Sequence, residues 1–153
     1  MTLETNKALV RRYFEDAPYN PAACDEIFAP HVHWHALYHT TSPDLDSTPE
    51  LEKTAYENHK KVWGSWIERI DEMIAEDDRV MVLWSGRGTQ DQEYFGLPPT
   101  HKPVTLSGMY IFRIVDGKIA EVWNLWDRLG EWQQLGVLPS TREIIARARE
   151  KLK

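Results

Sequence analysis

The chain has 153 residues, with 24 acidic against 18 basic side chains and a formal net charge of −6. That surplus argues against a nucleic-acid partner or an anionic membrane surface, since both need basic patches. No apolar run approaches the ~20 residues of a spanning helix and the opening MTLETNKALVRRYF lacks a signal peptide's apolar centre, so a cytoplasmic protein is expected.

The length suits one domain, 1–153, able to bury roughly 70% of its unfolded surface. Leu9, Val10, Tyr13 and Phe14 recur at helical spacing and predict a first helix. Asn20-Pro21 has the form of an N-cap and first helical residue, so PAACDEIF is a short second helix, ended by Ala29-Pro30. Cys24 in this segment is the sole cysteine. It makes no internal disulfide and suits a reducing compartment.

HVHWHALYH (31–39) alternates and predicts a strand. TTSPDLDST (40–48) is rich in turn formers and predicts a loop. Thr48-Pro49 opens a helix whose apolar stripe is Leu51, Ala55, His59, Val62 and Trp66, breaking near Gly64-Ser65. WIERIDEMIAEDD is ambiguous in period, and the extended form suits the β-rich RVMVLWSGRGTQ that follows. KPVTLSGMYIFRIVDGKIAEVWNLWDRL holds two strands joined at Asp116-Gly117, a strong hairpin signal. DRLGEWQQLG predicts one or two helical turns with Asp127 as a candidate N-cap. STREIIARAREKLK predicts a terminal helix capped by Ser140 or Thr141.

Helices, a strand, a helix and then a run of antiparallel strands define an α+β fold. A curved sheet covered by helices leaves a cone with an open mouth, a natural small-molecule site.

EDDRVMVLWSGRGTQ, FGLPPTHKPVTLSGMYIFRIVDGKIAEVWNLWD and the trailing QQLG resemble the SnoaL-like polyketide cyclase family of the NTF2-like superfamily. The similarity runs from about residue 5 to 139, with GLPPT, RIVDGKIAEVW and D…QQLG the most specific parts. It implies a cone-shaped barrel, with a curved antiparallel sheet packed against N-terminal helices. The superfamily hosts isomerases, cyclases, epoxide hydrolases, dehydratases and proteins without known catalysis, so fold does not fix reaction. The aldol cyclases it resembles carry an acid–base aspartate directly after the last strand's tryptophan, with a histidine on the neighbouring strand. Here Asn124 follows Trp123 and Tyr110 stands at the histidine position. An asparagine can hydrogen-bond an enolate oxygen but cannot take a proton near neutral pH. The strand histidine of the wider family matches His35, and an aspartate common in its membership matches Asp127.

His33 and His35 share one face of their strand with His31, while Val32 and Trp34 take the other. If His35 lines the cavity, Trp34 packs behind the sheet or at a dimer interface. Histidine titrates near neutral pH and can serve as acid or base. The competing role for His35 is a hydrogen-bonded, partly buried structural histidine. The competing role for Asp127 is a plain helix cap, and its functional role is a carboxylate raised by apolar walls such as Trp126 or Trp63. Tyr110 and Asn124, paired across the hairpin, suit an oxyanion-binding role, against a core tyrosine and structural asparagine. His59 interrupts an apolar stripe and is either a satisfied core residue or a cavity contact.

His33 and His35 could also supply two metal ligands, with His39, His59 or an acidic residue as a third. No helical His-x-x-x-His or cysteine pair supports this, and the resembled family is largely metal-free. No metal or cofactor is therefore expected.

The sequence-level expectation is a cofactor-independent enzyme doing acid–base chemistry on an apolar, carbonyl-bearing small molecule. The chemistry would be aldol-type cyclisation, isomerisation or hydration. His35 and Asp127 would be catalytic, and Tyr110, Asn124, His33, His59 and Trp63 would bind substrate. A homodimer is expected through the outer sheet face, presenting Trp84 with Trp123 or Trp126. One alternative is a non-catalytic module that holds a hydrophobic ligand. A second is limonene-type epoxide hydrolysis, which needs an Asp–Arg–Asp set that Arg87 does not clearly complete.

Overall fold

The computed structural model of the chain describes residues 2–36 and 44–152. Helix α1 (Leu3–Glu15) starts where the Thr2 side chain accepts from Thr5 N–H, and it buries Leu9, Val10, Tyr13 and Phe14. A 3-10 turn at Pro21–Ala23 leads directly into α2 (Cys24–Ile27). Asn20 precedes that turn without a side-chain capping bond. Strand β1 (Phe28–Ala36) begins earlier than Pro30. Proline is tolerated inside it because Pro30 falls where the β1–β6 register shifts between Phe28 and His33.

The short strand β2 (Leu45–Ser47) lies within the stretch expected to be loop. Helix α3 (Pro49–Val62) is capped by Thr48 and stops before Trp63. Trp66 belongs instead to β3 (Trp63–Glu76), because the chain pairs with the next strand from Trp63↔Gln90 onward. Strands β4 (Arg79–Gln90), β5 (Pro103–Val115) and β6 (Lys118–Trp126) follow, with the β5–β6 hairpin turning at Asp116-Gly117. Both turn residues have positive φ, 49° and 78°, as a type I′ hairpin requires. Helix α4 (Arg128–Leu135) and helix α5 (Thr141–Lys151) complete the chain, α5 with a Ser140–Glu143 capping box.

Among the described residues, six strands form one sheet in the order β2-β1-β6-β5-β4-β3. Every pairing is antiparallel except β1–β6, which is parallel. The expected α+β architecture is present, with two refinements. The curved sheet stays open at β2 and β3 instead of closing into a barrel, and it is mixed because the chain passes through β2, α3, β3, β4 and β5 between β1 and β6.

The inner face carries the core. Val32, Val80, Val82, Phe112, Ile114 and Val122 are buried there with Val10, Tyr13 and Phe14 of α1. Each fully buried chain of this size contributes about 1.5–3 kcal/mol over its exposed state. The outer face is different: Leu83, Met109, Ile111 and Leu125 are exposed. Leu83, Met109 and Leu125 follow one another across β4, β5 and β6, and Met81, Ile111 and Trp123 form a second row.

Candidate active site

Helix α3 crosses the mouth of the curved sheet without sealing it. Leu51, at the head of its apolar stripe, is 54% exposed, because the stripe faces a hollow. That hollow has a volume of about 490 Å³, the size of a small-molecule site. Its floor and walls come from α1 (Tyr13, Phe14), β1 (Trp34), β2 (Leu45, Ser47), α3 (Leu51, Glu52, Ala55, Tyr56, His59), β3 (Trp66, Glu68) and β5 (Tyr110).

Room for Trp66 on the sheet is made by glycine. A Cβ on Gly86 would stand 2.3 Å from the Trp66 ring, and one on Gly88 would stand 2.8 Å from it. Alternate glycines in β4 thus let an indole lie against the backbone. Trp66 Nε1 donates to Glu68 Oε2 at 3.3 Å, and its ring meets His59 edge-on at 5.2 Å.

Two carboxyls face the hollow from opposite sides. Glu68, two residues along β3 from Trp66, is partly buried, and loss of water lifts its pKa to about 7 against a weaker downward pull from the Trp66 bond. Glu52 is buried, and dehydration raises its pKa while bonds from Ser47 and Trp34 lower it. Trp34 Nε1 donates to Glu52 Oε1 at 2.8 Å. Neither carboxyl has an ion-pair partner among the described residues. The cause of both shifts is burial without a compensating cation.

His59 lines the hollow at its exposed rim, and dehydration lowers its pKa to about 4. It is therefore a neutral imidazole at physiological pH. The Tyr110 hydroxyl is pushed well up by burial and by the charge of Glu68, with Tyr13 and Asn124 close enough to counter part of the rise. Tyr110 thus stays protonated and able to donate.

The expected site residues divide between two faces. Tyr110 and His59 line the hollow. Asn124 pairs with Tyr110 across the hairpin but is not part of the cavity wall. Its Oδ1 is buried with no hydrogen-bond partner among the described residues. Trp63, expected at the cavity, is 4% exposed and sits in the core against Trp66 and Tyr94. It starts β3 instead of ending α3, so it points away from the helix stripe.

His33 and His35 are on the outer face, not in the cavity. Val32 and Trp34 take the inner side, because the large apolar pair has a core to enter. His35 stacks flat on Trp123, with ring centres 4.2 Å apart, and its Nε2 donates to Glu121 at 2.7 Å. His33 Nδ1 donates to Asp46 at 2.7 Å, which raises its pKa. His39 lies outside the described residues. Asp127 is exposed, and its Oδ1 accepts from Gly130 N–H at 2.8 Å as the N-cap of α4. Arg87 is exposed on the outer side of β4, so no Asp–Arg–Asp set forms around it in the cavity. Trp84 and Trp126 also face inward. Trp84 is 4% exposed, and Trp126 donates to Glu131 at 3.0 Å, leaving Trp123 as the outer-face tryptophan of the three.

Glu68, Glu52, Trp34 and Trp66 were missed. The available signal was WIERI, where Trp66, Glu68 and Ile70 alternate with Ile67 and Arg69. Choosing the inner parity there requires knowing that Gly86 and Gly88 oppose it.

The model of the SnoaL-like polyketide cyclase family matches residues 8–135. No curated protein matches the chain. Among solved structures, TsrD from Streptomyces laurentii superposes with a TM-score of 0.77 at 21% identity, covering 90% of this chain and 99% of that one. AclR from Streptomyces galilaeus, provisionally a hydroxylase, gives 0.74 at 22%, covering 99% and 93%. IdmH from Streptomyces antibioticus, provisionally a polyketide cyclase, gives 0.70 at 21%, covering 86% and 98%. These likenesses establish the NTF2-like fold.

Proposed function

Because the chain belongs to the SnoaL-like polyketide cyclase family, we propose that it is an enzyme of acid–base type, with residues 1–153 acting as one domain, that closes a ring in an apolar, carbonyl-bearing small molecule. Glu68 is the proton-transfer group. Its carboxylate removes a proton from the carbon next to a carbonyl, and the enolate oxygen that forms accepts a hydrogen bond from the Tyr110 hydroxyl. The enolate carbon then attacks a second carbonyl of the same molecule, making one C–C bond. The resulting alkoxide takes the proton back from Glu68. No electrons enter or leave, and the carboxyl returns to its starting state.

The observation that carries this proposal is a carboxyl with a pKa of about 7 in the wall of an apolar hollow, facing the same space as Tyr110 and His59. A group that holds and releases its proton near neutral pH is matched to proton transfer there. Asn124 occupies the position where the related cyclases place an aspartate. In this chain the carboxyl is supplied from β3 instead of β6. Trp34 and Trp66 offer flat faces for an unsaturated substrate, and neutral His59 can hydrogen-bond a polar substituent without charging.

Linear poly-β-ketone thioesters and esters, cyclised by the wild type and monitored by product absorbance, test the proposal. Glu68→Gln should abolish most of the rate while leaving substrate quenching of tryptophan fluorescence intact. Saturable quenching with no turnover by the wild type would overturn the enzyme assignment and leave a ligand-binding module.

We also propose a homodimer through the rows Leu83–Met109–Leu125 and Met81–Ile111–Trp123, in which Leu83, Met109, Ile111 and Leu125 are exposed and Met81 and Trp123 half-buried. Met109→Asp should yield monomers in sedimentation, and an unchanged species would reject this face. No described helix is long and apolar enough to cross a membrane. The unpaired, buried Cys24 suits the cytoplasm, where we place the protein.

A further inference from the structure

The back of β1 carries a second cluster that the proposed chemistry does not use. His33, His35 and Asp44 each present a ligand atom, and these atoms lie within 4.8 Å of one another. Each imidazole has one nitrogen already engaged. His33 Nδ1 is held by Asp46 at 2.7 Å, which leaves Nε2, 3.7 Å from Asp44 Oδ2. His35 Nε2 is held by Glu121 at 2.7 Å, which leaves Nδ1. Glu121 is in turn gripped by Arg113 Nε at 2.7 Å. The two rings meet edge-on with centres 4.4 Å apart.

A carboxylate behind each histidine is the arrangement that orients a metal-binding imidazole and fixes its tautomer. Such support is found twice here, on strands β2 and β6 flanking the histidine strand, at register positions His33↔Asp46 and His33↔Glu121.

We propose that His33 Nε2, His35 Nδ1 and an Asp44 carboxylate oxygen bind one divalent transition-metal ion of the zinc class. Two imidazoles and a carboxylate suit such an ion, with the fourth position taken by water. Ligand atoms around a tetrahedral ion stand roughly 3.3 Å apart, given bonds of ~2.0–2.1 Å. With the ligand atoms within 4.8 Å of one another, the cluster needs to contract by up to roughly 1.5 Å, a movement made by side-chain rotation. The site is structural. Asp44 directly precedes β2, and Leu45 and Ser47 of that strand form part of the cavity wall on the other side. A bound ion would clamp this three-residue strand to β1 from behind. The site is independent of the acid–base assignment, since it lies on the opposite sheet face.

The test is calorimetric titration of the full chain, first stripped with a chelator, using zinc chloride alone, with cobalt(II) as a spectroscopic stand-in. One zinc per chain is expected, with an intense visible cobalt band of four-coordinate type and a melting temperature that rises with zinc concentration. His33→Ala, His35→Ala and Asp44→Asn should each weaken binding by at least about 10-fold. Asp46→Asn and Glu121→Gln should weaken it by about 10- to 100-fold through loss of orientation. His31→Ala, on the same face, and His101→Ala, on a distant loop, should change nothing. Asp44 is exposed, so its variant stays folded even if His35→Ala, which unstacks Trp123, does not. Weak binding of several ions, or equal losses in His31→Ala or His101→Ala, would overturn the proposal and indicate adventitious binding by surface histidines.

Discussion

Glu68 and Glu121 sit on opposite faces of one sheet, and their surroundings drive them in opposite directions. Glu68 faces the hollow without a cation, and dehydration lifts its pKa to about 7. Glu121 faces outward and receives His35 and Arg113, whose hydrogen bonds hold its pKa below the usual carboxylate range. The same side chain is thus a proton carrier on one face and a fixed anion on the other. What separates them is partner supply, set by which neighbours each pleat presents. The inner face spends apolar area on Trp34, Trp66 and Tyr110 and leaves its carboxyls unpaired. The outer face surrounds its carboxylate with nitrogen donors.

The sharpest way to break this contrast is Glu68→Gln, which should lower turnover by about 10²–10⁴-fold. Arg87→Gln, on the outer side of the neighbouring strand, should leave turnover as it was. Equal losses in both would mean that neither face is special. Tyr110→Phe should cost roughly 10²-fold in kcat, with substrate quenching preserved, as expected of a donor that acts mainly on developing charge.

Stability against pH sharpens the contrast further. Glu68 keeps its proton in the folded chain after the unfolded chain has lost it, so its contribution falls as pH rises from about 4.5 through about 7. Glu121 does the reverse: its contribution is present above the unfolded pKa and is lost as pH drops through its lowered folded value. His59, held at about 4, costs the fold stability as pH falls below the ordinary imidazole value of 6.5. Urea melts of Glu68→Gln should therefore gain on the wild type between pH 5 and pH 8, and a constant difference across that range would contradict the assignment. The smallest effect expected is at Asp127. Asp127→Ala should destabilise by about 1 kcal/mol through loss of the α4 cap, with little change in turnover.

Local chemistry made much of this fold legible. Thr48-Pro49, Asp116-Gly117, Asp127 and Ser140 each satisfy backbone groups within three or four residues of themselves, so their roles can be read without tertiary knowledge. The Tyr110–Asn124 pairing followed from hairpin arithmetic. The strand expected over 31–39, of which 37–39 lie outside the described residues, was equally clear, but a period of two gives two faces and does not say which one is inside. The family match favoured His35, whereas the apolar volume of Val32 and Trp34 decided the parity. Glu68 was hidden for a related reason. The β3–β4 register slips between Ile70 and Glu72, so the inward set Trp66, Glu68, Ile70, Met73 and Ala75 breaks its own alternation. Glu52 was illegible because its partners, Trp34 and Ser47, come from β1 and β2, and nothing in α3 announces them. The β2 strand fell in a stretch rich in turn formers and exists through pairing with β1.

The most direct measurement is the titration of the Glu68 side-chain carboxyl itself, by carbon-13 chemical shift with Glu68→Gln as the assignment control. A midpoint close to pH 7 in the free protein, displaced when a ketone ligand fills the hollow, is the predicted result. A midpoint near the ordinary 4.5, unaffected by ligand, would contradict the central claim that this carboxyl is set for proton transfer.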